Sequence, residues 1–117
     1  KEYQTAIARY DGNVTAHNNL AIAYKQQGRR ELSRKTFARV LLLDSRFALA
    51  YYGLGLLDDE DGNADAALAN YSRFIVLAGR RYEDLQDKVR ARIVQIRSAK
   101  EKQTKHKLRP QRDHYVP

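Results

Sequence analysis

The chain has 117 residues, carries 22 Lys and Arg against 14 Asp and Glu for a net charge of +8 at pH 7, and contains no Cys, Met or Trp. The absence of Cys excludes a disulfide framework, a thiolate metal site and a Cys nucleophile. No apolar run approaches the roughly 20 residues that a membrane span requires, so we expect a soluble protein. The basic excess points to an acidic partner, which can be nucleic acid, anionic lipid or an acidic protein.

The first residues, Lys1 to Ala8, have the pattern of a helix interior, with neither a capping residue before them nor a signal peptide. We therefore expect the chain to be a fragment of a longer protein. The compartment stays open, because both the cytoplasm and the periplasm are compatible with the sequence.

An internal repeat dominates the sequence. Chemically similar residues recur in the same order with a repeat period of about 34 residues. The register extends back to Tyr3 and Ala6, which predicts that residues 1–13 are the second helix of an incomplete unit. The matched pairs are His17 with Tyr51, Leu20 with Leu54, Ala21 with Gly55, Gly28 with Gly62, Ser33 with Ala67, Phe37 with Tyr71, and Val40 with Phe74.

Each unit is predicted to contain two helices. Apolar residues spaced three and four apart place helices at about residues 15–27 and 31–43, and again at about 49–59 and 64–77. Gly28 supplies a left-handed stop between the first two helices, and Gly62 with Asn63 makes the equivalent turn in the second unit. A helix pair alone cannot bury both of its faces, so we expect the units to stack.

The order His17-x-x-Leu20-Ala21-x-x-Tyr24, Gly28, Ser33-x-x-x-Phe37, with its copy one repeat period later, resembles the tetratricopeptide repeat. The resemblance implies an all-α fold, a right-handed α-solenoid with units at residues 14–47 and 48–81. The sequence departs from the family where Ser45 and Gly79 replace the usual Pro. Asp58 also departs from the pattern, because Tyr24 stands at the equivalent position of the first unit. This departure leaves open whether the second unit packs as tightly as the first.

The chain changes character after the second unit. Over residues 82–99, Leu85, Val89, Ile93 and Ile96 form a narrow apolar stripe, which predicts a helix that caps the last repeat. From Lys100 to Pro117 there is almost no apolar periodicity, so we expect a basic, extended or disordered tail.

No enzyme, cofactor or metal site is predicted. The acidic run from Asp58 to Asp65 does not fit a calcium loop, because Leu57 and Leu68 stand where oxygen ligands are needed, so we expect an inter-helix turn with Asp59 and Glu60 solvated. The three histidines are too scattered to share a metal ion. The serines lack a His and carboxylate at recognisable spacing.

A binding groove is the predicted functional site. The family resemblance implies that the first helix of each unit lines a concave groove that binds a peptide or helix of another protein, as a scaffold or adaptor does. Apolar residues left on such a surface are anchors for a partner, unless a neighbouring unit or the cap helix covers them. The groove residues are Thr15, Asn18, Ile22 and Lys25 on the first unit, and Leu49, Tyr52, Leu56 and Asp59 on the second.

The tail supports a second hypothesis. Residues 97–117 hold seven basic and two acidic side chains, so they contribute +5 of the +8. A basic module of this kind binds nucleic acid or an acidic surface through phosphate contacts, although only Tyr115 offers an aromatic ring for stacking. The basic residues of the tail are Lys100, Lys102, Lys105, Lys107, Arg109 and Arg112.

Overall fold

The computed structural model describes residues 13–113, and the side chains of residues 13–105. This part of the chain is all-α, and it contains no strand. The predicted incomplete unit at residues 1–13 lies outside the described residues except for Asn13. The five helices are α1 (Val14–Gln26), α2 (Arg30–Leu43), α3 (Ala48–Glu60), α4 (Ala64–Ala78) and α5 (Glu83–Asp113).

The helix boundaries repeat as the sequence does. Helix α3 begins one repeat period after α1, and α4 begins one repeat period after α2. The turns that follow α1 and α3 contain Gly28 at φ 76° and Gly62 at φ 80°, the left-handed region that favours glycine. Asn63 accepts a hydrogen bond from the Ala66 N–H, so it caps α4 as a helix N-cap residue does.

Successive helices pack against one another. Helix α1 packs on α2, α2 on α3, α3 on α4, and α4 on α5, and α1 also contacts α3. The first apolar cluster joins α1, α2 and α3 through Ala21, Phe37, Val40, Ala50 and Leu57. The second joins α3, α4 and α5, with Ala67, Tyr71 and Phe74 of α4 against Val89, Ile93 and Ile96 of α5.

Glycines on α3 allow two of these contacts. The ring of Phe37 lies against Gly53, where a Cβ atom would come within 2.2 Å of the Phe37 Cζ. The ring of Tyr71 lies against Gly55, where a Cβ atom would come within 2.6 Å of the ring. Because Phe37 comes from α2 and Tyr71 from α4, α3 fits between both partners only with these two small residues.

The last helix is longer than predicted. A cap helix was expected over residues 82–99, followed by an extended tail, but α5 runs without a break from Glu83 to Asp113. The prediction of an extended segment is therefore wrong for residues 100–113, and residues 114–117 lie outside the described residues. The physical reason is that Lys, Glu, Gln and Arg propagate a helix well even without an apolar face to bury.

Candidate functional site

The eight predicted groove residues occupy two equivalent helix faces. Thr15, Asn18, Ile22 and Lys25 follow the helical spacing along α1, and Leu49, Tyr52, Leu56 and Asp59 are their counterparts on α3. The structure treats the two rows differently. On α1, Thr15 is exposed and Ile22 keeps 40% of its surface in contact with solvent, so these two residues are the open part of the predicted groove.

Asn18 lies between these two exposed residues along α1. It is only 3% exposed, and its side-chain Oδ1 has no hydrogen-bond partner among the residues that the structure describes. A buried carbonyl oxygen without a donor costs roughly 1–3 kcal/mol, so the unpaired Oδ1 of Asn18 lowers the free energy of unfolding.

The apolar residues of the α3 row are not open. Leu49, Tyr52 and Leu56 are half-buried and pack against the second apolar cluster, which agrees with the stated alternative that neighbouring helices cover them. The Tyr52 ring centroid lies 5.5 Å from that of Phe74 and 6.4 Å from that of Tyr71. Burial raises the pKa of the Tyr52 hydroxyl. These residues therefore stabilise the second unit.

The end of α3 carries four consecutive carboxylates, residues 58–61, which we call the acidic turn. Asp58 is 4% exposed, and its carboxylate accepts hydrogen bonds from Arg34 and from the Asn70 amide, each at 2.7 Å. Asp58 is thus accommodated in the packing of the second unit. The residue replaces the Tyr of the first unit with a buried, hydrogen-bonded carboxylate that links α2 to α4.

Glu60 and Asp61 bind cations from the first unit. Glu60 accepts from Lys25 and from Arg30, both at 2.9 Å. Asp61 accepts from Arg30 at 2.7 Å and from Arg34 at 2.6 Å. The hydrogen bonds from Arg30 and Lys25 lower the pKa of Glu60, and the hydrogen bond from Arg34 lowers that of Asp61. Lys25 is consequently engaged in an ion pair across the two units.

Asp59 binds α5. Its two oxygens accept from the Nε and Nη2 atoms of Arg92, both at 2.8 Å, and Oδ2 also accepts from the Tyr71 hydroxyl at 2.9 Å. The hydrogen bond from Arg92 is the main cause that lowers the pKa of Asp59, and burial together with Asp59 raises that of Tyr71. Both carboxylates are held in ion pairs, but the expectation that they are solvated is confirmed for Glu60, whose side chain is 46% exposed, and is wrong for Asp59, whose side chain is 18% exposed.

Sequence reasoning missed the cations that bind the acidic turn. Arg30, Arg34 and Arg92 come from α2 and α5, and they stand 24 to 33 residues from their partners. Local spacing gives no signal at such separations. A usable signal would have been the contrast between four adjacent carboxylates and the overall basic excess of the chain.

The basic residues after Lys100 lie on α5. The Lys100 ammonium binds the Asp65 carboxylate at the start of α4, and Lys102 and Lys105 are exposed. Lys107, Arg109 and Arg112 follow on the helical backbone of the same element.

Among the side chains of residues 13–105, no three His, Asp or Glu groups are arranged to hold a metal ion. None of the described helices combines the length and the apolar character needed to cross a bilayer.

The sequence matches no protein-family model, and a search of curated proteins returns no similar sequence.

Proposed function

We propose that the chain is a non-catalytic scaffold of tetratricopeptide-like repeats, stacked as a right-handed solenoid and capped by the first part of α5. The observation that supports this proposal is the recurrence of the helix starts one repeat period apart, with left-handed glycines at the equivalent positions Gly28 and Gly62. A two-helix unit of this length is typical of that repeat family. Proteins built in this way present extended surfaces for binding other proteins.

The proposed binding site is the exposed face of α1. Ile22 supplies an accessible apolar group and Thr15 an accessible polar one, two helical turns apart. A helix or extended segment of a partner that binds there buries Ile22 and can hydrogen-bond to the exposed Thr15 hydroxyl. Leu49, Tyr52 and Leu56 are half-buried against the second apolar cluster, so each exposes a smaller fraction of its surface than Ile22 does.

Site-specific photo-crosslinking tests the site. A photoreactive residue at position 22, in the full chain in its own cell, is expected to give a discrete adduct with one protein. The same residue at position 91, which is exposed on α5, serves as the control. The variant Ile22→Asp should abolish capture from a crosslinker at position 15 while circular dichroism stays unchanged. Equal adducts from positions 22 and 91, or capture that survives Ile22→Asp, would reject the α1 face.

One observation favours a second candidate function. The segment that carries most of the net charge continues α5 as a helix, so Lys102, Lys105, Arg109 and Arg112 recur at spacings of three and four residues along one helical register. A cationic helix can bind phosphates or an acidic surface. Deleting residues 100–117 separates the two candidates. Salt-sensitive binding that is lost with the deletion supports the basic helix, and salt-insensitive binding that survives supports the α1 face.

A further inference from the structure

Two aliphatic side chains point into solvent at equivalent places in the two units. Leu42 at the end of α2 is 82% exposed, and Val76 near the end of α4 is 76% exposed. The two positions are separated by one repeat period. Single exposed apolar residues are ordinary on protein surfaces. Here an exposed aliphatic residue recurs at the equivalent position of both units, while the nearby Val40 and Phe74 are fully buried. This recurrence indicates a shared role.

Arginines accompany both residues at the same offsets. Arg39 and Arg73 precede the aliphatic residue by three positions and so lie beside it on the helix surface. Arg46 and Arg80 follow it by four positions, in the turn after the helix. We call this set the arginine patch: Arg39, Leu42 and Arg46 on the first unit, and Arg73, Val76 and Arg80 on the second.

The two turn arginines of the patch have no local counterion. The side chains of Arg46 and Arg80 make no ion pair or hydrogen bond with the residues that the structure describes. Asp44, the carboxylate nearest to Arg46 in the sequence, accepts instead from the backbone N–H of Arg46. Arg73 lies over the ring of Tyr51, with its Cζ 5.6 Å from the centroid. These side chains differ from the arginines of the acidic turn, which are bound to carboxylates.

The chemistry of the patch indicates its ligand. Guanidinium groups bind carboxylates through paired, charge-assisted hydrogen bonds, and Arg46 and Arg80 are available for such contacts because their side chains have no ion pair or hydrogen bond among the described residues. A bilayer surface is disfavoured, because one aliphatic side chain per unit buries little area in lipid. Nucleic acid is disfavoured as well, because the patch offers no aromatic ring to a base and aliphatic groups contribute nothing to phosphate contacts.

We propose that the arginine patch docks an acidic segment of another protein, in which an apolar side chain stands between carboxylates. Leu42 and Val76 contact the apolar groups, and Arg46 and Arg80 bind the flanking carboxylates. This surface is formed by the second helix of each unit, whereas the proposed groove is formed by the first. It is therefore a binding function additional to that of the α1 face.

Peptide binding to the full chain tests this proposal. The probe is a fluorescent synthetic helix whose one face repeats Glu, Leu and Glu, and its control replaces each Glu with Gln. Fluorescence anisotropy is expected to show saturable binding of the Glu peptide that weakens as salt rises, with at least about tenfold weaker binding of the Gln peptide. The double variant Leu42→Ser with Val76→Ser should also weaken binding of the Glu peptide severalfold, since it removes only the apolar contacts.

Charge reversal provides the matched control. Arg46→Glu with Arg80→Glu changes the net charge by the same amount as Arg97→Glu with Lys102→Glu on α5, where both side chains are exposed. The first pair should weaken binding of the Glu peptide by about tenfold or more, and the second by much less. Ile22→Asp should leave binding of the Glu peptide unchanged, because Ile22 lies on the α1 face. The peptide assay therefore tests the arginine patch independently of the proposed groove.

Three outcomes would overturn the proposal. One is no saturable binding of the Glu peptide by the folded chain, and another is equal weakening by the two charge reversals. The third is binding of phosphatidylserine vesicles or duplex DNA that is tighter than peptide binding and is lost with the Arg46 and Arg80 variants, because the patch would then recognise lipid or nucleic acid.

Discussion

Arg92 binds Asp59 through two nitrogen atoms of its guanidinium group, each 2.8 Å from a different carboxylate oxygen. This contact joins α5 to the end of α3, two helices whose backbones do not otherwise pack together. It places a specific, planar ion pair at the point where the last helix crosses the second unit.

Removing this contact should weaken the second unit. Arg92→Ala is expected to lower the free energy of unfolding by about 1–2 kcal/mol, because a charge-assisted bidentate pair is lost and the half-buried Asp59 keeps only its bond from Tyr71. Arg97→Ala on the same helix is the control, since Arg97 is exposed and has no partner among the described side chains. Urea unfolding measures both variants, and an equal loss in both would contradict the assignment of Arg92.

Acid should destabilise the chain through the acidic turn. The folded state lowers the pKa values of Asp59, Glu60 and Asp61 from their ordinary 3.8, 4.5 and 3.8. The unfolded chain therefore binds more protons in this window, and stability rises with pH there. The stabilisation from these ion pairs is fully present above about pH 5, and it is lost as the pH falls through the ordinary values to the lowered ones.

The control for the acid prediction is the triple variant Asp59→Asn, Glu60→Gln and Asp61→Asn. Chemical denaturation at pH 3 to 7 should show a flatter dependence of stability on pH for this variant than for the unaltered chain. Parallel curves for the two proteins would place the acid sensitivity elsewhere in the chain.

Gly53 should not tolerate a side chain. Gly53→Ala brings a Cβ atom within 2.2 Å of the Phe37 ring, which is 1% exposed and has little room to move. We expect a net loss of about 1–2 kcal/mol in the free energy of unfolding, because overpacking outweighs the gain in helix propensity.

A double-mutant cycle identifies the cause of that loss. Phe37→Leu makes the contact smaller, so adding Gly53→Ala to this background should cost less than it does in the unaltered chain. Strictly additive effects of the two substitutions would mean that the ring of Phe37 does not limit the space at Gly53.

The far end of α5 should respond to a helix breaker. Lys105→Pro removes a helical hydrogen bond at an exposed position and is expected to lower the helical signal by several residues. Lys105→Ala at the same site should retain or raise the signal, because Ala favours the helix. A far-ultraviolet circular dichroism spectrum that is identical for the two variants would contradict the continuation of the helix through this segment.

The sequence predicted the helices of both units to within one residue at all eight ends. Apolar residues repeat at helical spacing there, and Gly28 and Gly62 mark the turns, so local patterns carry this information. The left-handed conformation of Gly28 and the capping role of Asn63 follow from local chemistry in the same way. The extension of α5 beyond residue 99 could not be found by the same rule, because that part of the helix has no apolar stripe.

The contacts of the candidate site could not be predicted from the sequence, because they depend on tertiary structure. Periodicity places Tyr52 and Ile22 on equivalent faces, but it cannot show that α4 and α5 cover Tyr52 while Ile22 stays open. The partners of the acidic turn were missed for a similar reason. Ion pairs between side chains that are far apart in the sequence depend on how the units stack, and a repeat pattern does not specify that geometry.

The acidic turn also links the first unit to the last helix through two ion pairs. Lys25 connects α1 to Glu60, and the adjacent Asp59 connects to Arg92 on α5. Two neighbouring residues therefore bind both the first unit and the last helix. Protonation of these two carboxylates would release both attachments together, so the turn after α3 adds an electrostatic link between α1 and α5 that is present while its ions are paired.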